Sequence, residues 1–159
     1  MRRAYSFTLS TTIHAPVAEV WARVVTPAGI NDEMRPLMTM SMPRGAREAT
    51  VDTVPLGVAL GRAWLRLGGV VPFDYDNLTI VELVPGTSFH EQSTMLAMQR
   101  WEHRRVLGEA GSTTEVTDTV TLTPRLPLPG LGAVLRAVVR AFFVHRHRRL
   151  RRHFSAPTT

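Results

Sequence analysis

Residues 129–154 read PGLGAVLRAVVRAFFVHRHRRLRRHF. Leu131, Val134, Leu135, Val138, Val139 and Phe142 recur there at spacings of three and four, the period of one amphipathic helix. The same side continues as His145, Arg146, Arg149 and His153. At about 100° per residue, Arg149 falls on the azimuth of Leu131 and His153 on that of Leu135. A helix that turns valine and leucine, then guanidinium and imidazole, toward its packing partner is not covering a plain core. It meets buried carboxylates or closes one end of a polar-lipped cavity. About 25 helical residues span roughly 37 Å, enough to cross a sheet.

Upstream, Pro124, Pro127 and Pro129 form a stiff lead-in to this helix. At the other end of the chain, Tyr5, Phe7, Leu9, Thr11 and Ile13 alternate with Ser6, Thr8, Ser10 and Thr12, the pattern of a half-buried strand. Ala15-Pro16 ends it, and Val17, Val20, Trp21, Val24 and Val25 follow at helical spacing. Thr26-Pro27 breaks this helix, and residues 27–34 suit a second short one. Residues 37–42 read as a short strand, and a strand fragment is expected around Thr50 to Val54. Further strands are expected near 58–67, 77–84, 88–95, 98–107 and 114–123. Gly68-Gly69, Pro72-Phe73-Asp74, Pro85-Gly86 and Glu109 to Ser112 read as the turns between them. Strands segregated from helices predict an α+β fold: two short helices after the first strand, an antiparallel meander, and the long helix across it.

The 159 residues suggest one domain, with flexible ends at about 1–3 and 155–159. The chain has no cysteine, which excludes disulfides, thiolate catalysis and cysteine-ligated zinc and fits a cytoplasmic setting. Two arginines near the start have no apolar stretch behind them, so no signal peptide is read. No apolar run reaches the ~18–20 residues of a membrane span. The formal charge is +6 and contains no lysine; every basic residue counted in it is an arginine. Arg146, Arg148, Arg149, Arg151 and Arg152 concentrate that charge at the C-terminus. Peripheral contact with an anionic membrane is one use for it. Nucleic-acid binding is not expected, because no aromatics interleave with the basic residues.

Three features carry a family resemblance: Ser10-Thr11-Thr12-Ile13-His14-Ala15-Pro16 followed by Val20-Trp21, the order of elements, and the pair formed by residues 98–105 (MQRWEHRR) and 143–150 (FVHRHRRL). With them the chain resembles the START-like, or SRPBCC, superfamily of birch-pollen-allergen-like proteins, lipid-transfer domains, polyketide cyclases and coenzyme Q-binding proteins. Within it, the 98–105 and 143–150 segments are similar to a bacterial ligand-binding subgroup. The resemblance implies a helix-grip fold: a curved seven-stranded antiparallel sheet wrapped around the final helix, with an apolar cavity between them.

Alternation along the strands assigns inward-facing residues. Phe89, Glu91, Ser93 and Met95 share one face of their strand, and Trp101, His103, Arg105 and Leu107 share one face of the next. Val116, Asp118, Val120 and Leu122 share a face of the last. Glu91, His103, Arg105 and Asp118 therefore meet on the concave side, opposite His145 and Arg149 of the helix. They read either as an ion-pair network that holds the fold or as anchors for the polar end of a ligand. Trp64, Phe89, Trp101 and Phe142 are expected to line the apolar part, in a pocket of roughly 300–1,000 Å³.

No hydrolase or phosphate-loop motif is present. His145 and His147 are two apart and cannot share a helix face, so a metal would need His145 with His103 and a carboxylate; no motif supports that set, and no metal or other cofactor is expected. The leading reading is a binding or carrier protein for a small hydrophobic ligand such as a lipid, isoprenoid or aromatic polyketide. A cyclase-type enzyme using His103 or Glu91 for proton transfer is the alternative, and an interaction module using the basic helix is the third. No residue is assigned to catalysis at this level.

Overall fold

The computed structural model describes residues 2–155. The expectations for Met1 and residues 156–159 lie outside the described residues. Arg2 bonds the Arg125 carbonyl, and Ser155 closes the last helix.

Strand β1 (Tyr5–Ile13) buries Phe7, Thr11 and Ile13 on one side. Its other side sets Ser6, Thr8 and Ser10 in hydroxyl pairs with Thr121, Thr119 and Thr117 of β8 (Thr113–Pro124). Helices α1 (Val17–Val24) and α2 (Pro27–Met34) follow. Thr26 caps α2, its hydroxyl accepting the Gly29 N–H at 3.0 Å. A Cβ on Gly29 would lie 2.0 Å from the Arg23 carbonyl oxygen, so only glycine lets α2 fold back against the end of α1.

Next come β2 (Met38–Met40), β3 (Arg62–Leu67), β4 (Val71–Asn77), β5 (Ile80–Val84), β6 (Ser88–Ser93) and β7 (Met98–Ala110), then β8 and the long helix α3 (Leu131–Ser155). All pairings are antiparallel, in the orders β1-β8-β7-β6-β5 and β2-β3-β4. The two segments touch through a bridge from Asp76 to Met95 and the Asn77 N–H to Thr94 carbonyl bond. α3 packs on β1, β8 and α2. This is an α+β helix-grip architecture.

Among the described residues there are eight strands, where the resemblance implies seven. β4 is the addition, because Pro72-Phe73-Asp74 has the composition of a turn. It is an edge strand of its segment, a place where proline costs no ladder bond. The expected strand over 58–67 begins only at Arg62, and residues 50–54 form turns.

The buried stripe of α3 is rotated from the predicted one. Gly132, Phe143, Arg146, His147 and Leu150 are buried, while Leu135, Val139 and Phe142 are half-buried. Val138 is 60% exposed. Apolar residues cover so much of the first half of this helix that periodicity alone leaves its azimuth open.

Candidate functional site

Strand register builds the interior. Glu91 stands opposite His103, and Arg105 opposite Asp118, on three neighbouring strands. Arg105 is wholly buried. Its Nε and Nη2 donate to Asp118 at 2.8 and 2.7 Å, and its Nη1 and Nη2 donate to Glu33 of α2 at 2.7 and 3.0 Å. Asp118 also accepts from His103 Nε2 at 2.8 Å and from His147 Nε2 at 2.6 Å. Arg146 closes the set by donating from Nε to Glu33 at 3.1 Å, with its guanidinium 4.8 Å from the Phe143 ring centre. One guanidinium between two bidentate carboxylates satisfies the fork geometry of arginine on both edges.

Burial alone would raise the Glu33 carboxyl, but the charges of Arg105 and Arg146 outweigh it and hold it below its ordinary value. Burial likewise opposes ionisation of Asp118, and Arg105 and His103 overcome it, keeping that carboxyl well below the usual range. Both are ionised and paired, hence poor bases. This knot joins α2, β7, β8 and α3. Its members His103 and Arg146 reach the cavity wall, and Glu33, Arg105, Asp118 and His147 lie behind it.

The cavity itself holds about 110 Å³. α2 contributes Ile30 and Met34, and β2 with the loop after it contributes Met38, Met40 and Met42. The sheets supply Leu65, Ile80, Phe89, Met95 and Trp101, and α3 supplies Phe142, Phe143 and Arg146. This is smaller than the predicted 300–1,000 Å³ class. Five methionines reach into the space, and their unbranched side chains fill gaps that a sheet–helix outline leaves open.

On the sheet side the polar part of the wall is Asp76, Glu91 and His103; Thr50 and Arg146 add to it from the loop after β2 and from α3. Ser93 Oγ donates to Glu91 Oε1 at 2.9 Å, and His103 Nδ1 lies 3.9 Å from Glu91 Oε2. Asp76, 4% exposed, stands beside Glu91, and among the described residues its Oδ1 has no hydrogen-bond partner. Burial first, and then the neighbouring Glu91 charge, push the Asp76 carboxyl well above the ordinary range.

Of the predicted residues, Phe89, Glu91, Trp101, His103 and Phe142 line the cavity. Arg105 and Asp118 sit in the knot behind it. Trp64 does not reach the interior: β3 buries Ala63 and Leu65, so alternation puts Trp64 outside, 40% exposed and edge-on to Tyr75. Arg149 does not meet Glu91 or Asp118. It lies at the helix edge, donating to the Asp32 carbonyl at 3.0 Å and Oδ1 at 2.9 Å, while Arg23 pairs the same carboxylate at 2.9 Å. His145 donates from Nε2 to the Arg35 carbonyl at 2.8 Å, away from the cavity.

Glu33, Asp76, Phe143 and His147 were not singled out by sequence, and Arg146 was placed on the inner face without a partner. Asp74 and Asp76 are two apart, the spacing that would have put them on one face had 71–77 been read as a strand. Asp74 ties down the loop before β7, accepting the Leu96 and Ala97 N–H groups.

Several solved structures share this fold. Protein CV1439 from Chromobacterium violaceum superposes with a TM-score of 0.71 at 11% identity, covering 96% of this chain and 98% of that one. A START superfamily protein from Mycobacterium smegmatis gives 0.66 at 11% identity, covering 94% and 96%. The di-domain ARO/CYC BexL from the BE-7585A biosynthetic pathway gives 0.64 at 19% identity, covering 98% of this chain and 51% of that one. These likenesses establish the fold. No curated protein matches the sequence. Residues 11–154 match the family described as "Domain of unknown function (DUF8410)", and the chain, with its START-like helix-grip fold, belongs to that family.

Proposed function

We propose that the protein binds or carries a small, mostly apolar molecule in the cavity between α3 and the sheet. The carrying observation is the division of labour inside the protein. The Glu33, Arg105 and Asp118 charges are paired with one another behind the wall, while the wall itself is mainly methionine and aromatic, with Asp76, Glu91, His103 and Arg146 as its polar groups. Phe89, Trp101, Phe142 and the Glu91–His103 side are the residues proposed to touch the ligand. Native mass spectrometry of protein purified from its own host tests this. A co-purifying apolar molecule is expected. Bare protein that also fails to bind an environment-sensitive fluorophore would overturn it.

A second reading draws on one observation: Glu91 accepts from Ser93 and faces His103 on the cavity wall, and it is not paired with an arginine among the described residues. The domain resemblance to the ARO/CYC di-domain protein BexL gives this reading its reaction class, ring closure or dehydration of a polyketone chain. Turnover of a polyketone mimic that is lost in Glu91→Gln would support it.

The setting proposed is the cytoplasm, with α3 meeting an anionic membrane surface through the exposed Arg148, Arg151 and Arg152. No helix among the described residues is long and apolar enough to cross a membrane.

A further inference from the structure

We propose that the outer face of β3 and β4 is a platform for single-stranded nucleic acid, with bases stacked on Trp64 and Phe73 and phosphates held by Arg62, Arg66 and the arginines beside them. Leu65 of the same strand lines the cavity, so this face lies on the other side of the sheet. The proposal does not rest on the ligand-binding reading above.

Strand alternation builds the surface. β3 buries Ala63 and Leu65, so Arg62, Trp64 and Arg66 project outward, each about 6–7 Å from the next. β4 buries Asp74 and Asp76, which carries both of its carboxylates inward and leaves Phe73 and Tyr75 on the outer side. Trp64 is 40% and Phe73 46% exposed. Tyr75 props the arrangement. Trp64 meets it edge-on with ring centres 5.6 Å apart, and the Arg62 guanidinium lies 4.5 Å from its ring centre. Aromatics set between arginines are what the C-terminal arginines lack, and the pairing of β3 with β4 creates that pattern here.

Charge selects the partner. A groove of about 880 Å³ runs past Trp64, with Arg62 and Arg66 on its strand side and Arg44 and Arg47 on its loop side. It shares Asn31, Met40, Ser41 and Arg66 with a second groove of about 450 Å³, which adds Arg35. No aspartate or glutamate lines either groove. None of these five arginines is in a salt bridge among the described residues; the paired ones are Arg23, Arg100, Arg105, Arg146 and Arg149. Uncompensated cations gathered along one trough repel each other, and a polyanion relieves that repulsion. The partner also carries flat π-faces, because Trp64 stands open among the guanidiniums and Phe73 beside them. A duplex hides its base faces and a lipid headgroup layer has none. A single strand presents phosphates and unstacked bases together.

The test is fluorescence anisotropy of the whole protein with fluorescein-labelled oligo(dT) and oligo(rU) of about 16 nucleotides, the upper end of single-strand site sizes. Both should bind, and the tighter of the two names DNA or RNA as the source. The affinity should fall with salt on a log–log slope of about −2 to −3.5, the release expected for three to five phosphate contacts. Trp64→Ala should weaken binding about tenfold or more. Arg62→Gln with Arg66→Gln should weaken it and make the slope shallower by about 1.4. Arg148→Gln, Arg151→Gln and Arg152→Gln together remove more charge, but from α3, and at about 0.1 M salt should leave the affinity within about twofold. All these side chains are exposed, so circular dichroism should not change. No binding at low salt overturns the proposal. An affinity unchanged in Trp64→Ala overturns the stacking platform. A loss in the α3 variant as large as in the β3 variant overturns the assignment to this face. Adhesion to phosphatidylglycerol vesicles that Trp64→Ala abolishes, without oligonucleotide binding, gives the face to a membrane and overturns the nucleic-acid reading. Fluorophore binding in the cavity is measured separately, so the two readings fail independently.

Discussion

Arg105 is the side chain on which most of the interior electrostatics depends. Replacing it with Met would strand Glu33 and Asp118, both buried and ionised. Arg105→Met should cost about 3–5 kcal/mol in urea unfolding, and adding Asp118→Leu should recover part of it, because Glu33 keeps Arg146. Arg149→Met provides the contrast. Its pair with Asp32 is one-third exposed on both sides, and Arg23 remains on the same carboxylate, so the loss should stay within about 1 kcal/mol. The pH response carries two signs. Glu33 and Asp118 are held below their ordinary 4.5 and 3.8, so their stabilisation is present above those values and is lost as pH falls through the lower folded ones. Acid unfolding should become shallower in Asp118→Asn. Asp76 is raised, so its contribution is complete below 3.8 and is lost as pH rises through its folded value. Melting temperatures measured across that rise should fall in the parent protein and fall less in Asp76→Asn.

At the scale of elements, the decisive joint is between α2 and α3, fastened by Glu33 inside and Asp32 at the rim. Gly29 permits it by letting α2 lie against the Arg23 carbonyl. Gly29→Ala forces backbone to move and should destabilise by about 1–3 kcal/mol, read from chemical denaturation. The orientation of α3 is tested by a pair of truncations. Phe143 is 1% exposed and packs on Phe7 and Val120, so Phe143→Ala should cost about 3–5 kcal/mol. Val138→Ser, on the outer side, should change stability by no more than about 0.5 kcal/mol. The period of residues 131–154 made the helix and its length legible. Its azimuth was not, because Val134 and Val138 are as apolar as the residues that are buried. The difference lies in which side α2 and β1 cover.

For the molecule as a whole, the cavity is the property to test. An environment-sensitive fluorophore should bind and be displaced by a small aromatic ligand. Ile30→Trp, which projects a large ring from α2 into the space, should abolish that binding while the far-ultraviolet circular dichroism stays unchanged. Unchanged fluorophore affinity in this variant would place the binding elsewhere. Charge on the outer face of α3 is tested separately. Reversing Arg148, Arg151 and Arg152 to glutamate should remove any salt-sensitive adhesion to anionic vesicles without altering cavity binding.

The sequence by itself determined the α+β order, the two short helices, the register-competent strands and the inward face carrying Glu91, His103, Arg105 and Asp118. These follow from periods of 2 and 3.6 residues, which are local and survive without knowledge of neighbours. The tertiary structure decided the partners. Arg105 could have met any acid, and it took Glu33 from a helix 72 positions away as well as Asp118 from the next strand. It also decided that His147, not His145, turns inward, that Trp64 faces out, and that Asp76 stands beside Glu91 with one oxygen unmatched. Each of these depends on the rotation of one element against another, and that rotation is set by packing over long sequence separations rather than by the pattern of any single segment.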